Sequence, residues 1–173
     1  MSHPADIEAL LAKEDIRTLS RQYMRGLDRL DPDLLRSVFF DDAQVDYGFY
    51  RGAAQQFVPF AMRALRDHHA NHHFIGQMSV DLEDNVAFGE IYFQAFHRIV
   101  EAGVAKDLFI AGRYVDRYER RNGIWKIAFR AEVNDWARTD PAADDFFRSA
   151  PDALRGARGA DDLSSRRDEL RRR

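Results

Sequence analysis

The chain has 173 residues, 45% hydrophobic and 32% charged, which is one globular domain of ordinary size rather than a disordered segment. Lys and Arg number 26 against 29 Asp and Glu, a formal net charge of -3, so there is no basic footprint for nucleic acid. The absence of cysteine removes disulfides, thiolate metal sites, iron–sulfur clusters and thiol catalysis together.

In chain order, Ile7, Leu10, Leu11, Ile16, Leu19, Tyr23, Leu27 and Leu30 recur at spacings of three and four, which predicts a helix over the first 30 or so residues. The opening stretch is too acidic and interrupted for a signal peptide. No apolar run approaches the roughly 20 residues of a membrane span, so a cytoplasmic protein without membrane contact is expected. Asp31 is placed to cap a second helix, with Pro32 at its first position and an end near Phe40. Ala43 to Tyr47 reads as a short strand closed by Gly48, and Gly52 to Ala70 as a third helix. From His72 the period changes to two. Four strands come next, His72 to Leu82, Val86 to Val100, Asp107 to Arg120 and Ile124 to Ala137, joined by short turns. Asn122-Gly123 is the strongest hairpin signal, because both residues tolerate positive φ. Successive hairpins make a meander, so an antiparallel sheet is expected. The domain is drawn at residues 1–140. Residues 141–173 form a polar tail in which Arg155, Arg158, Arg166, Arg167, Arg171, Arg172 and Arg173 alternate with acids. It reads as a solvated end, helical near Asp162 to Arg172, with a neighbouring subunit as one candidate anchor.

Several residues invite chemistry. Asp28 sits on the margin of the apolar stripe that holds Met24 and Leu27. His97 shares a strand face with Ala87, Gly89, Ile91, Phe93, Ala95 and Ile99, where small residues leave room for a ligand. Regular alternation puts His73 with Gln77, Ser79 and Asp81 on the polar face, and His72 with Phe74, Met78, Val80 and Leu82. A bulge at Gly76 reverses this and turns His73 inward. The i, i+4 histidines of His68 to His73 suit zinc on a helix, but the run straddles a helix-to-strand change and lacks a third ligand. No metal is expected. Gly-rich phosphate loops, a nucleophile elbow and a dinucleotide fingerprint are absent, so no cofactor is expected either.

The order of elements resembles the cone-shaped α+β barrel of the nuclear transport factor 2 (NTF2-like) superfamily. In that fold three N-terminal helices pack on a curved antiparallel sheet. Gly26-Leu27-Asp28 ends the first helix as in that family, and Phe40 to Tyr47 resembles its entry to the first strand. His73-Phe74-Ile75-Gly76 resembles scytalone dehydratase, and Tyr118 to Lys126 resembles hexachlorocyclohexane dehydrochlorinase. The resemblance, over about residues 6–138, points to the SnoaL-like branch. It implies that Asp28 orients His73 as a catalytic acid/base pair, and that Tyr47 polarises a substrate carbonyl. Leu27 stands where scytalone dehydratase has a second tyrosine; Tyr23 matches the tyrosine of bile-acid dehydratase and is placed to replace it. His97 is assigned to substrate binding or proton return, and Asn134 to the pocket mouth. The function implied is a cofactor-independent lyase, a dehydratase or else an isomerase, acting on a small hydrophobic carbonyl-bearing molecule. The alternatives are a non-catalytic ligand-binding or assembly protein, such as a dioxygenase β-subunit-like protein, and a polyketide cyclase. A homo-oligomer, dimer or trimer, is expected through the convex sheet face.

Overall fold

The computed structural model describes residues 4–143 and 145–172; Arg173, at the end of the arginine-rich tail, lies outside them. Helix α1 spans Pro4–Arg29. It closes where Leu30 turns to a φ of 49° and the Asp31 N–H donates to the Gly26 carbonyl at 2.9 Å. Asp31 then caps α2 (Pro32–Ser37), its carboxylate accepting the Leu34 N–H at 2.9 Å. The helices cross in close contact at Gly26, where a Cβ would stand 3.0 Å from that of Leu35.

Helix α2 ends earlier than expected because Phe39 and Phe40 already belong to β1 (Phe39–Asp46). A short strand β2 (Arg51–Ala53) pairs antiparallel with β1, so α3 starts at Ala54 rather than Gly52 and runs to Arg66. Its buried residues, Ala54, Phe57, Val58, Ala61, Met62 and Leu65, keep the helical spacing of one apolar stripe. The meander is built from β3 (Ala70–Glu83), β4 (Val86–Glu101), β5 (Val104–Arg121) and β6 (Ile124–Pro141). Asp84, Ala102 and Asn122 take positive φ at the three turns, as tight hairpins require.

The strand order is β2-β1-β6-β5-β4-β3. The pairings are antiparallel except that of β1 with β6, which is parallel. This corrects the expectation of a wholly antiparallel sheet. The meander leaves the outer edge of β6 open, and β1 fills it in the same direction. The sheet curls over the helices without closing, and Ile16, Tyr23, Leu35, Val58, Ile91 and Ile127 are buried in the core between them. Among the described residues no helix is long and apolar enough to cross a membrane.

Beyond β6 come α4 (Phe146–Ser149), two 3-10 turns (Gly159–Asp161 and Leu163–Ser165) and α5 (Arg167–Arg171). The tail is fastened to its own body. Arg29 donates to the Ala157 carbonyl at 2.7 Å, and Arg25 to the Ser164 hydroxyl at 3.1 Å. Asp162 is buried and accepts the N–H groups of Ala157 and Ser164 at 2.9 and 3.0 Å. Hydrogen bonds from the Ser164 hydroxyl and these amides hold its carboxyl well below the usual carboxylate range.

Candidate active site

The first element of the site is a bulge. On β3, Ile75 pairs with Phe93 and Met78 pairs with Ile91, so Gly76 and Gln77 together face Tyr92. Alternation therefore reverses at Gly76, and His73 and Ile75 share the inner face with Met78 and Val80. His72 is exposed on the other face.

Asp28, in the last turn of α1, is 8% exposed. The His73 Nδ1–H donates to Asp28 Oδ1 at 2.7 Å, and the His73 backbone N–H sits 3.2 Å from both carboxylate oxygens. Asn71 adds a third donor, its Nδ2 standing 3.0 Å from Oδ1. A carboxylate only accepts, so Nδ1 carries the hydrogen and Nε2 keeps its lone pair.

His73 lines a cavity of about 140 Å³, walled by Leu27, Phe57, Phe93, Ala95 and Ile110 and by the polar groups of Tyr23, Tyr47, His97, Tyr114 and Glu132. An apolar cavity of about that volume takes up one benzene-sized ring. The Tyr23 and Tyr47 hydroxyls hydrogen-bond each other, and Tyr47 stacks on Phe57 with ring centroids 4.2 Å apart. Burial pushes Tyr23 up to about 12, and Tyr47 and Tyr114 well above the usual tyrosine value. Their hydroxyls stay protonated as donors. Burial, with the charges of His73 and His68, lowers His97 to about 3, so its imidazole is neutral. His97 Nδ1 lies 3.2 Å from His68 Nδ1, and its ring meets that of His73 edge to face at 5.2 Å.

Thus Tyr23, Tyr47, His73 and His97 meet around one cavity, with Asp28 directly behind His73. Asn134 is exposed and does not line it. Sequence reasoning missed Glu132 and Arg130, for a shared reason. Arg117 pairs with Phe129 and Tyr118 with Ile127, so Ala128 is an extra residue on β6. Trp125 and Ile127 are buried as alternation expects, but after the extra residue the inward set becomes Ala128, Arg130 and Glu132. The available signal was Asp116, a charge in an aromatic alternation between Tyr114 and Tyr118. It binds Arg130 through Nε at 2.8 Å and Nη2 at 2.6 Å, both side chains fully buried. The Arg130 guanidinium lies 4.1 Å from the Tyr23 ring centre and 4.2 Å from that of Tyr114.

A family model described as a SnoaL-like domain matches residues 8–131. The chain belongs to the SnoaL-like family. The match includes Asp28, His73, the cavity tyrosines Tyr23, Tyr47 and Tyr114, and His97, and it stops short of Glu132 and the tail. Solved structures share the SnoaL-like fold at low identity. A type 2 hexachlorocyclohexane dehydrochlorinase (LinA) is 20% identical with a TM-score of 0.71, covering 80% of this chain and 94% of its own. A protein from Novosphingobium aromaticivorans named as a candidate scytalone dehydratase is 18% identical with a TM-score of 0.68, over 78% of this chain and 91% of its own. A variant of the function-unknown protein Rv3472 of Mycobacterium tuberculosis is 21% identical with a TM-score of 0.64, over 94% of this chain and 86% of its own. No curated protein matches the sequence. The curled, unclosed α+β sheet over its helices agrees with the fold that the resemblance implies.

Proposed function

We propose that the protein is a cofactor-independent lyase that removes water from a small, single-ring hydrophobic ketone. The observation that carries this reading is His73, held by Asp28 at 2.7 Å on the wall of an apolar cavity. His73 Nε2 takes the proton α to the carbonyl. Negative charge then grows on the carbonyl oxygen. The Tyr23–Tyr47 pair meets it, because one hydroxyl hydrogen lies between the two oxygens and the other remains to be donated. His97, kept neutral, binds substrate rather than protonating it. A positioned base of this kind contributes about 10²–10⁴-fold. The dehydrochlorinase and the candidate dehydratase of the same fold are named for eliminations, which agrees with this chemistry. An isomerase would share the first proton transfer and then return the proton to another carbon instead of expelling a hydroxyl.

The test is hydrogen–deuterium exchange at the α carbon of 3-hydroxycyclohexanone in heavy water, read by mass spectrometry. Asp28→Asn and His73→Ala are expected to lower the catalysed rate by about 10²–10⁴-fold. Exchange that both variants leave unchanged would sink the reading.

We also propose that the protein is a homo-oligomer. Phe74, Tyr92 and Trp136 are exposed and share one shallow depression on the outer sheet face. An aromatic patch of that kind suits a second copy of the same surface. Light scattering is expected to give a dimer or trimer that Trp136→Glu dissociates; a monomeric wild type would exclude it.

A further inference from the structure

The proposed dehydration leaves one proton without a source. His73 removes hydrogen from carbon, but the hydroxyl departs easily only as water. We propose that Glu132 is the general acid of this site and donates its carboxyl proton to the leaving hydroxyl of a β-hydroxy ketone. This rests on the lyase reading and adds the substrate class: a hydroxyl one carbon beyond the carbon that loses its proton.

The placement is the first argument. Glu132 lines the same cavity as His73. It arrives there from β6, while His73 arrives from β3, with β5 and β4 between them in the sheet. The two proton-transfer groups therefore reach a bound ring from different walls. The environment is the second argument. Apolar walls favour the uncharged carboxyl, and burial raises Glu132 above the usual carboxylate value. Groups from every neighbouring element face it: Tyr23 from α1, Tyr47 after β1, His73 from β3, Tyr114 from β5, and Arg130 and Asn134 from its own strand. Hydrogen bonds from Asn134 and Tyr114 and the charges of His73 and Arg130 pull the other way, and burial outweighs them. His97 is no rival donor, since its neutral imidazole is a very weak acid. A carboxyl held in its uncharged form on a different wall from the base is what the acid role needs.

The step balances within the site. His73 Nε2 takes the hydrogen of the carbon between carbonyl and carbinol. Its electron pair becomes the new C=C bond as the C–O bond breaks. The oxygen takes the Glu132 proton and leaves as water. One proton passed from the His73 imidazolium to the Glu132 carboxylate restores both groups.

The experiment compares two probes, 3-hydroxycyclohexanone and its acetate ester, both giving cyclohexenone. Hydroxide needs a proton to leave, whereas acetate does not. Glu132→Gln keeps the shape and cannot ionise. It is expected to cost at least about 100-fold on the alcohol, with a loss on the ester at least tenfold smaller. His73→Ala is expected to lose both equally. Equal losses of Glu132→Gln on both probes would overturn the acid role while leaving the lyase reading intact. Wild-type inactivity on both probes would overturn the lyase reading instead. A second readout needs no turnover: the infrared band of a protonated carboxyl at about pH 6, above the ordinary Glu range, present in the wild type and missing in Glu132→Gln. Its absence from the wild type overturns the proposal by itself.

Discussion

Two polar clusters share the apolar interior between the sheet and the helices, and they are built in opposite ways. Around Asp116, every carboxylate oxygen is taken: Arg130 binds both, and the Tyr118 hydroxyl donates to Oδ2 at 2.6 Å. Both charged side chains are fully buried, and neither lines the cavity that His73 faces. Around Asp28 the carboxylate is as well supplied, by His73 and Asn71, but the network stops at His73 Nε2, at the edge of open space. Tyr23 and Tyr114 belong to both clusters, since Arg130 packs against their rings and both side chains also line the cavity. The Asp116 carboxylate is saturated, although the buried Arg130 Nη1 has no hydrogen-bond partner among the described residues, and such a buried pair fixes the fold. A network that ends at an unused lone pair beside a cavity has something left to react with.

The largest effect that separates the clusters is on stability. Asp116→Ala leaves the Arg130 guanidinium buried without its counter-charge, and breaking such a pair costs about 3–5 kcal/mol. Urea or thermal unfolding is expected to show that loss, whereas Asp28→Asn at the other cluster stays within about 1–2 kcal/mol, as a change that keeps most hydrogen bonds. Similar losses for the two variants would erase the distinction.

A smaller effect lies in pH. His97 titrates near 3 in the folded protein, against about 6.5 for an unfolded chain. The unfolded state therefore binds more protons between those values. Stability is complete above about pH 6.5 and falls as the pH drops toward 3, by a few kcal/mol at most. His97→Gln is expected to flatten that acid limb in unfolding curves measured across the window. An unchanged slope would place the acid sensitivity elsewhere.

The same contrast explains what could be read in the sequence. The Asp31 cap, the stripe of α3 and the Asn122-Gly123 turn are local, so residue type and spacing suffice. His73 was legible because the bulge that turns it inward lies at a glycine. The bulge at Ala128 has no such mark, and alternation through Phe129, Ala131 and Val133 points to the wrong face. Arg130 and Glu132 were lost with it. Strand β2 and the parallel seating of β1 depend on where a free sheet edge falls, which no short window records. Asn71, though close to His73 in sequence, shows its role only through its contacts with Asp28 and with the tail.

That contact with the tail offers the finest probe of the comparison, because it ties the Asp28–His73 cluster to the tail. The Arg158 Nη2 donates to the His68 carbonyl at 2.8 Å and to Asn71 Oδ1 at 2.7 Å, and its Nη1 to the Arg66 carbonyl at 3.2 Å. Asn71 in turn donates to Asp28. A guanidinium in the tail thus sets the amide that helps set the carboxylate that sets His73. Arg158 does not line the cavity, so in the proposed reaction it would act as a positioning residue and not a catalytic one. Arg158→Ala removes hydrogen bonds worth about 1–3 kcal/mol locally, and the Asp162 and Arg29 contacts remain to hold the tail in part. The expected outcome is a tail cut faster by trypsin and a proton-abstraction rate lower by about 3–10-fold, far less than for the dyad variants. Arg158→Lys is expected to restore little, because one ammonium cannot span three acceptors as a planar fork does. A rate unaffected in Arg158→Ala, with the tail already released, would show that the dyad holds its geometry alone and that the tail is a strap for the fold rather than for the site.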